Sequence, residues 1–181
     1  MNEQFVVWQA LMAAMLDVLY NDEPMQGWLL RPGETWAANA SAAWERLASA
    51  PIQAVLSSEG AAGIDDTAPI IIGVGLAVTA DAQQPPLYMG QSASRVYTAA
   101  VSVNVRGDLS APYEVLLHTI GTVAQYLGGH VGELSHREDP DDSSSPLRAI
   151  VADIADEGDD GQDIDDNGDY VATRSFTVTL V

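Results

Sequence analysis

Residues 139–181 constrain the fold of this chain more than any other segment. An apolar run over 147–154 is followed by an acidic stretch over 156–169, and then by alternating polar and apolar residues over 170–181. The acidic stretch carries eight carboxylates and no positive side chain, so it cannot be buried. We therefore predict a β-hairpin with a long, charged, solvated tip, whose last strand lies within a core or against a neighbouring chain.

Length and composition favour a single folded domain. A chain of 181 residues that is 47% hydrophobic can bury a full core. No segment is apolar for long enough to cross a bilayer, and residues 1–4 lack the positive charge of a signal peptide. We therefore expect an intracellular protein with no membrane partner. The lack of cysteine excludes disulfides, thiolate metal sites and thiol nucleophiles.

The charge balance excludes a further class of function. The chain has 26 acidic residues against seven basic ones, all of them arginine, and a net charge of −19. A surface that grips nucleic-acid phosphates needs clustered Lys or Arg, so specific nucleic-acid binding is not expected. If the acidity served general solubility, or adapted the protein to a high-salt host, the carboxylates should be spread over the whole surface. Because they concentrate in 133–169, we favour a local cause.

Hydrophobic periodicity predicts the order of the secondary structure. The expected helices span 3–20, 35–48 and 111–127, and the expected strands span 69–79, 95–106, 147–154 and 170–181. Strands with one apolar and one polar face are typical of an antiparallel sheet. We predict the α+β class: a single domain over 1–181 with a mostly antiparallel sheet, N-terminal and central helices packed on it, and a C-terminal β-hairpin. Residues 21–67 would form a longer helical connection or insertion.

Finer expectations concern the helix ends and one strand face. Residues 3–20 place their large apolar side chains on one helical face, and Pro24 lies where that helix should stop. One face of the strand 69–79 is mostly glycine and alanine, which would let a helix approach closely. Ser110 stands where it could cap the helix 111–127.

The acidic stretch contains a partial calcium-loop pattern. It matches the first half, D-x-D-x-N-G, with candidate ligands Asp163, Asp165, Asn167 and Asp169. The twelfth position of such a loop should be a bidentate glutamate, but Arg174 stands there, and the flanking segments have strand patterns. Asp, Asn and Gly are also typical turn residues. We therefore expect a solvated turn without a resident metal or cofactor, and keep a calcium-binding module through 163–169 as an alternative.

A second cluster could form a metal-dependent hydrolase site. Its candidate residues are His130, Glu133 and His136. Their spacing fits no zinc signature, because it does not place both histidines on one helical face. Nearby glycines, including Gly132, favour a surface loop over 128–138 instead. Since no serine-nucleophile or phosphate-loop pattern is present either, we predict no catalytic residues and no enzymatic activity.

Several segments together resemble a known family. They are the opening helix 8–20, the strand 68–74, the central strand 97–105, the helix 111–127 and the acidic hairpin leading into 174–180. In this order they resemble the tail terminator proteins of long-tailed, lambda-like bacteriophages. The hairpin is the closest match, since members of that family commonly end in an acidic loop and a strand. The connection 21–67 is longer than the family pattern.

The resemblance implies a structural role in the virion. A tail terminator forms a six-fold ring on the last ring of tail-tube subunits, stops growth of the tube and presents a surface to the head-tail connector. It would be assembled in the host cytoplasm, with the tail-tube protein and the connector protein as partners. DNA would pass through the ring, and negative walls would prevent it from sticking. A head-to-tail connector or tail-completion protein of the neck is the alternative.

Overall fold

A computed structural model describes residues 3–29, 52–56, 68–79, 95–137 and 144–180. The helices are α1 (Glu3–Tyr20), α2 (Glu23–Leu29) and α3 (Pro112–Leu127), and the strands are β1 (Ile52–Leu56), β2 (Ile70–Val78), β3 (Arg95–Val105), β4 (Val131–Arg137), β5 (Leu147–Ile164) and β6 (Tyr170–Leu180). They form one sheet with the strand order β1-β2-β3-β6-β5-β4, in which β1 and β2 are parallel and the other neighbours antiparallel. The predicted α+β class is confirmed. The helix expected over 35–48 lies outside the described residues, as does most of the connection 21–67.

Helix α1 is the centre of the core. It contacts both edge strands of the sheet, β1 and β4, so the sheet curls around it. Six consecutive side chains, from Val7 to Met12, are buried. The expectation of a single apolar face was therefore wrong. A helix that is buried all round has neighbours on every side, and here the curled sheet and α3 provide them.

The inner face of the sheet has the predicted alternation. Ile70, Ile72 and Val74 of β2 are buried, and every second residue of β3 from Tyr97 to Val105 is buried opposite them. These side chains belong to the same core as the buried residues of α1 and α3. A period of two places alternate side chains on opposite faces, so one face of each strand is committed to the helices.

The small residues of β2 have a different neighbour from the one predicted. A Cβ atom on Gly73 would lie 2.5 Å from Oγ of Ser102 on β3, so that position has no room for a side chain. The helices lie on the opposite face, against Ile72 and its neighbours. Within the described part of the chain, the close approach at Gly73 therefore comes from a cross-strand hydroxyl and not from a helix.

The end of α1 leads directly into a helix that sequence reasoning missed. Helix α1 stops at Tyr20, as predicted, but α2 begins at Glu23. The Asp22 carboxylate accepts the backbone N–H of Met25 at 3.0 Å and so caps α2. Pro24 lies in the first turn, where its missing N–H costs little. Asp22 also lies 2.7 Å from Nε2 of His118, which ties α2 to α3.

Helix α3 ends where predicted, but its start differs. Its cap residue is Ala111, which makes no side-chain capping hydrogen bond, so the expected cap by Ser110 was wrong. Pro112 occupies the first helical turn and fixes the entry of the chain. At the other end, the Gly128 N–H donates to the Ala124 carbonyl at 2.8 Å. One stripe of α3 faces the core, with Leu116, Ile120, Val123 and Leu127 all buried.

Candidate functional site: the acidic hairpin

Strand β5 is much longer than predicted. The apolar run was expected to end near Ile154, with a solvated tip from 156 onward. Instead the strand continues for 18 residues, to Ile164, and the turn proper is only 165–169. At about 3.3 Å per residue the strand spans roughly 60 Å. Hairpin pairing with β6 provides the order that acidic and glycine residues would not produce by themselves.

The two halves of β5 have different neighbours. The half from Leu147 to Asp153 pairs with β4, and the half from Ala152 to Ile164 pairs with β6. Beyond Asp153, the side of β5 turned away from β6 has no strand partner among the described residues. The acidic part of the hairpin is therefore also a free sheet edge, which is a potential site of unwanted pairing with other chains.

Two bulges interrupt this free edge. The register between β5 and β6 shifts once between Asp156 and Gly158 and again between Asp159 and Gly161. Both glycines have positive φ, 109° and 126°. In each bulge the glycine N–H donates to Oδ1 of the aspartate two residues earlier. Gly158 donates to Asp156 at 3.0 Å, and Gly161 donates to Asp159 at 3.2 Å. The two bulges of this tandem D-x-G repeat make the edge irregular, which opposes strand addition.

The turn is organised by one carboxylate. Asp165 Oδ1 accepts the backbone N–H of Asn167 at 2.8 Å and that of Asp169 at 2.9 Å. The hydrogen bond from Asp169, with that from Asn167, holds the pKa of the Asp165 carboxyl below its usual range. The Asp169 carboxylate in turn accepts the backbone N–H of Gly107 at 3.0 Å, which ties the turn to the end of β3.

One arginine neutralises part of the hairpin. Arg174 of β6 donates from Nε and Nη2 to the two oxygens of Asp156, at 2.9 and 2.6 Å. This fork, a strong charge-assisted geometry, holds the pKa of Asp156 below its usual range. Arg174 is also attracted electrostatically by Asp159, whereas Asp160 and Asp163 form no ion pair among the residues described.

The calcium candidates act as structural groups in the hairpin. Asp163 accepts the N–H of Ile164 at 2.8 Å, while Asp165 and Asp169 bind backbone N–H groups of the turn and of β3. Asp163 belongs to the strand and not to a loop. In the ranges that the structure describes, no group of three or more His, Asp or Glu side chains could hold a metal ion.

The hydrolase candidates are not brought together either. The segment expected to be a surface loop is strand β4, so that expectation was wrong. Alternation along β4 buries His136 and Leu134 against the core, while Glu133 points to the opposite, exposed face. His130 precedes the strand and its ring lies 5.8 Å from that of Tyr126. The glycines did not prevent a strand because β5 supplies a partner along its full length.

An exposed apolar patch lies beside the acidic turn. We define the Tyr113 patch as Tyr113, Leu117 and Ile164, whose exposures are 49%, 39% and 55%. The Tyr113 hydroxyl donates to Gln162 Oε1 at 3.2 Å, and its ring lies 6.2 Å from that of Tyr170, which pairs with Ile164. Leu117 follows Tyr113 by one helical turn on α3. The patch is therefore continuous from α3 to the hairpin.

Sequence reasoning missed this patch, although two signals pointed to it. Ile164 is the single apolar residue in a run of carboxylates and turn residues, where solvation alone would not require it. Leu117 lies beside the buried stripe of α3 and not within it. Neither signal places α3 against the hairpin, where Tyr113 contacts Gln162 and Tyr170.

Comparison with known proteins adds no relative to this picture. No protein-family model matches the chain, and no curated protein matches it. None of the helices in the described ranges is long and apolar enough to cross a membrane. The features that bear on function are therefore the fold, the geometry of the acidic hairpin and the Tyr113 patch.

Proposed function

We propose that this protein is a structural virion protein that forms a ring on the end of a phage tail tube. The ring would end tube polymerisation and provide the surface for head-tail joining. The observation that carries the proposal is the acidic hairpin: eight carboxylates within 156–169 are held on ordered strands and a short turn, and not on a loose tail. The α+β fold with a C-terminal hairpin also agrees with the layout of tail terminator proteins.

Two properties of these carboxylates support the proposal: their negative charge and their fixed positions on ordered strands. DNA carries dense negative charge, so a surface without lysine and with paired arginines repels its backbone. A channel wall of this kind lets DNA pass without binding it. The bulged edge of β5 keeps neighbouring hairpins in a ring from joining through their strands. The partners in this proposal are further copies of the chain, the tail-tube protein and the connector protein.

Electron microscopy of phage assemblies made without this protein tests the proposal. A terminator predicts tails of abnormal length that do not join heads. Tails of normal length that still join heads would refute any role at this junction. Tails of normal length that stay unattached would instead assign the protein to the alternative, a head-to-tail connector or tail-completion protein of the neck.

Native mass spectrometry of the purified protein tests the ring itself. The proposal expects a hexamer, formed by the protein alone or when the tail-tube protein is added. Closed rings need two different complementary surfaces on each subunit, so the masses should show one closed assembly and no open series. A protein that stays monomeric with and without the tail-tube protein contradicts the ring.

A further inference from the structure

We propose that the Tyr113 patch is a docking surface for a different protein, whose contacting segment carries Lys or Arg around apolar side chains. The first support is exposure: the patch presents two aliphatic side chains and a tyrosine ring in one continuous area across α3 and β5. Aromatic and aliphatic groups placed together on a surface are typical anchors of protein interfaces.

The charge around the patch gives the chemistry of the partner. Glu114 is exposed next to Tyr113, and Asp165 and Asp166 of the turn follow Ile164 directly in the sequence. The arginines of the adjoining strand ends are already used, since Arg174 pairs with Asp156 and Arg106 with Asp108. The patch therefore has an apolar centre and an acidic rim without compensating cations in the described ranges, and a partner with a basic rim would complement it.

A second copy of this chain is a poor occupant for the same reason. An isologous contact would bring two acidic rims together, at a net charge of −19 per chain and without any lysine. Like charges facing each other across an interface oppose association. The complementary partner is therefore a different protein.

The geometry also indicates how the partner binds. Strand addition to β5 is disfavoured, because two bulges break its register and the N–H of Ile164 already has an aspartate acceptor. The partner would instead place side chains on the patch, as an amphipathic helix does when its apolar face covers an apolar surface. If the proposed function holds, this partner is one of the two proteins that flank the ring; that identification rests on the proposed function.

Peptide binding to the full-length protein tests the surface. The probe is a fluorescein-labelled amphipathic helical peptide of Leu, Ala and Lys, and its comparison peptide has each Leu replaced by Ser. Fluorescence anisotropy should show tighter binding of the Leu peptide. The double variant Leu117→Ser/Ile164→Ser should weaken that binding by about tenfold or more, the usual effect of removing central apolar anchors. Binding should also weaken between about 0.1 M and 1 M salt, as the screening length falls from about 10 to 3 Å.

A matched control separates the patch from the general negative charge. The double variant Val131→Ser/Leu147→Ser removes side chains that are 77% and 65% exposed on β4 and the start of β5, remote from the turn. It should bind the Leu peptide as the wild type does. Circular dichroism confirms folding, and if the patch double variant does not fold, Ile164→Ser alone replaces it.

Several outcomes overturn the proposal. Equal binding of the Leu and Ser peptides would mean attraction by charge alone. A patch variant that binds like the wild type, or a control variant that loses as much, would place the contact elsewhere. If sedimentation shows that the patch variant lowers the oligomeric state, the patch is a contact between copies of this chain. None of these readouts uses tail assembly, so failure of the ring function leaves the binding result standing.

Discussion

Gln9 is an unusual residue in the core of this protein. It lies on α1 with its side chain fully buried, and neither Nε2 nor Oε1 has a hydrogen-bond partner among the residues that the structure describes. The indole Nε1 of Trp8, the preceding residue, is in the same state. A buried polar group without a partner costs about 1–3 kcal/mol of stability. Replacing Gln9 by an apolar residue of similar shape therefore tests whether the folded protein carries this cost.

Gln9→Met should therefore raise the free energy of unfolding by about 1–2 kcal/mol, because methionine has a similar shape without the unpaired amide. Urea denaturation measures the change. Gln4→Met is the matched control on the same helix, since Gln4 Nε2 donates to the Leu76 carbonyl at 2.7 Å and its loss should lower stability by about 0.5–1.5 kcal/mol. A Gln9→Met protein less stable than the wild type would mean that this amide is bonded in solution, for instance to an ordered water.

The ion pair between Asp156 and Arg174 should contribute stability that depends on pH. The folded-state pKa of Asp156 is lowered, so the contribution is present above the unfolded pKa of about 3.9 and is lost as pH falls through the lower folded value. Arg174→Gln should lower the free energy of unfolding at pH about 7 by roughly 0.5–1 kcal/mol, because the pair is partly exposed. The difference from the wild type should shrink below pH about 4.

A second arginine, Arg95, provides a control that changes the net charge by the same amount. Arg95 pairs with Glu3 at a more exposed site, so Arg95→Gln changes the net charge equally but should cost less. Denaturation curves at several pH values compare the two variants. If both lose the same stability at every pH, the effect comes from net charge, and the fork between Arg174 and Asp156 has no separate role.

At the scale of elements, the shape of β5 depends on its two bulges. Gly158 and Gly161 have φ values that side chains with a Cβ rarely adopt, although a Cβ at either site would meet no atom within 4 Å. Replacing each by alanine should therefore cost about 1–2 kcal/mol through backbone strain alone. Chemical denaturation of Gly158→Ala and Gly161→Ala tests this.

Gly121→Ala is the matched control for the bulges. Gly121 lies within α3, where an added methyl group would also meet open space, but its backbone is helical. Alanine is favoured over glycine there by about 0.5–1 kcal/mol, so the same substitution should stabilise the protein. Bulge variants that are as stable as the wild type would mean that β5 can pair with β6 in another register.

The elements that could be predicted are those whose pattern is local. Helix α1, strands β2 and β3, helix α3 and strand β6 all carry an apolar period that their own sequence displays. Strand β4 and the second half of β5 do not, since glycine and acidic residues have low strand propensity and pairing with the neighbouring strand decides their structure. Strand β1 is short and parallel to β2, so its place depends on a crossover that no local pattern reveals.

At the scale of the whole molecule, the curl of the sheet is the feature that could least be predicted from the sequence. The helices were expected to lie on a sheet, and α1 instead contacts both of its edges. The segment from Val7 to Met12, which is apolar except for Gln9, is compatible with that burial, but it does not identify the elements that surround the helix. The candidate site shows the same limit. Its charge was evident from 156–169, whereas the apolar patch depends on the crossing of α3 over the hairpin.

The charge of the hairpin should govern association and leave the fold intact. Replacing Asp159, Asp160, Asp163 and Asp165 by Asn changes the net charge from −19 to −15, since four carboxylates become amides. The amide oxygen of Asn can still accept the backbone N–H groups that Asp159, Asp163 and Asp165 bind. Exposed substitutions of this kind usually change stability by about 0.5 kcal/mol or less each, so the melting temperature should stay within a few degrees.

The same quadruple variant should differ from the wild type in how its self-association depends on salt. Repulsion between hairpins is screened over about 8–10 Å at physiological ionic strength, so the wild type should associate more strongly as salt is added. The variant, with weaker repulsion, should associate at lower salt, and sedimentation across a salt series measures both. If calcium stabilised the wild type and not this variant, the calcium-binding alternative would be favoured, because the variant lacks the candidate carboxylates of Asp163 and Asp165. Identical salt responses would show that these carboxylates neither line a channel nor face a neighbouring subunit, and would remove the main support for the ring.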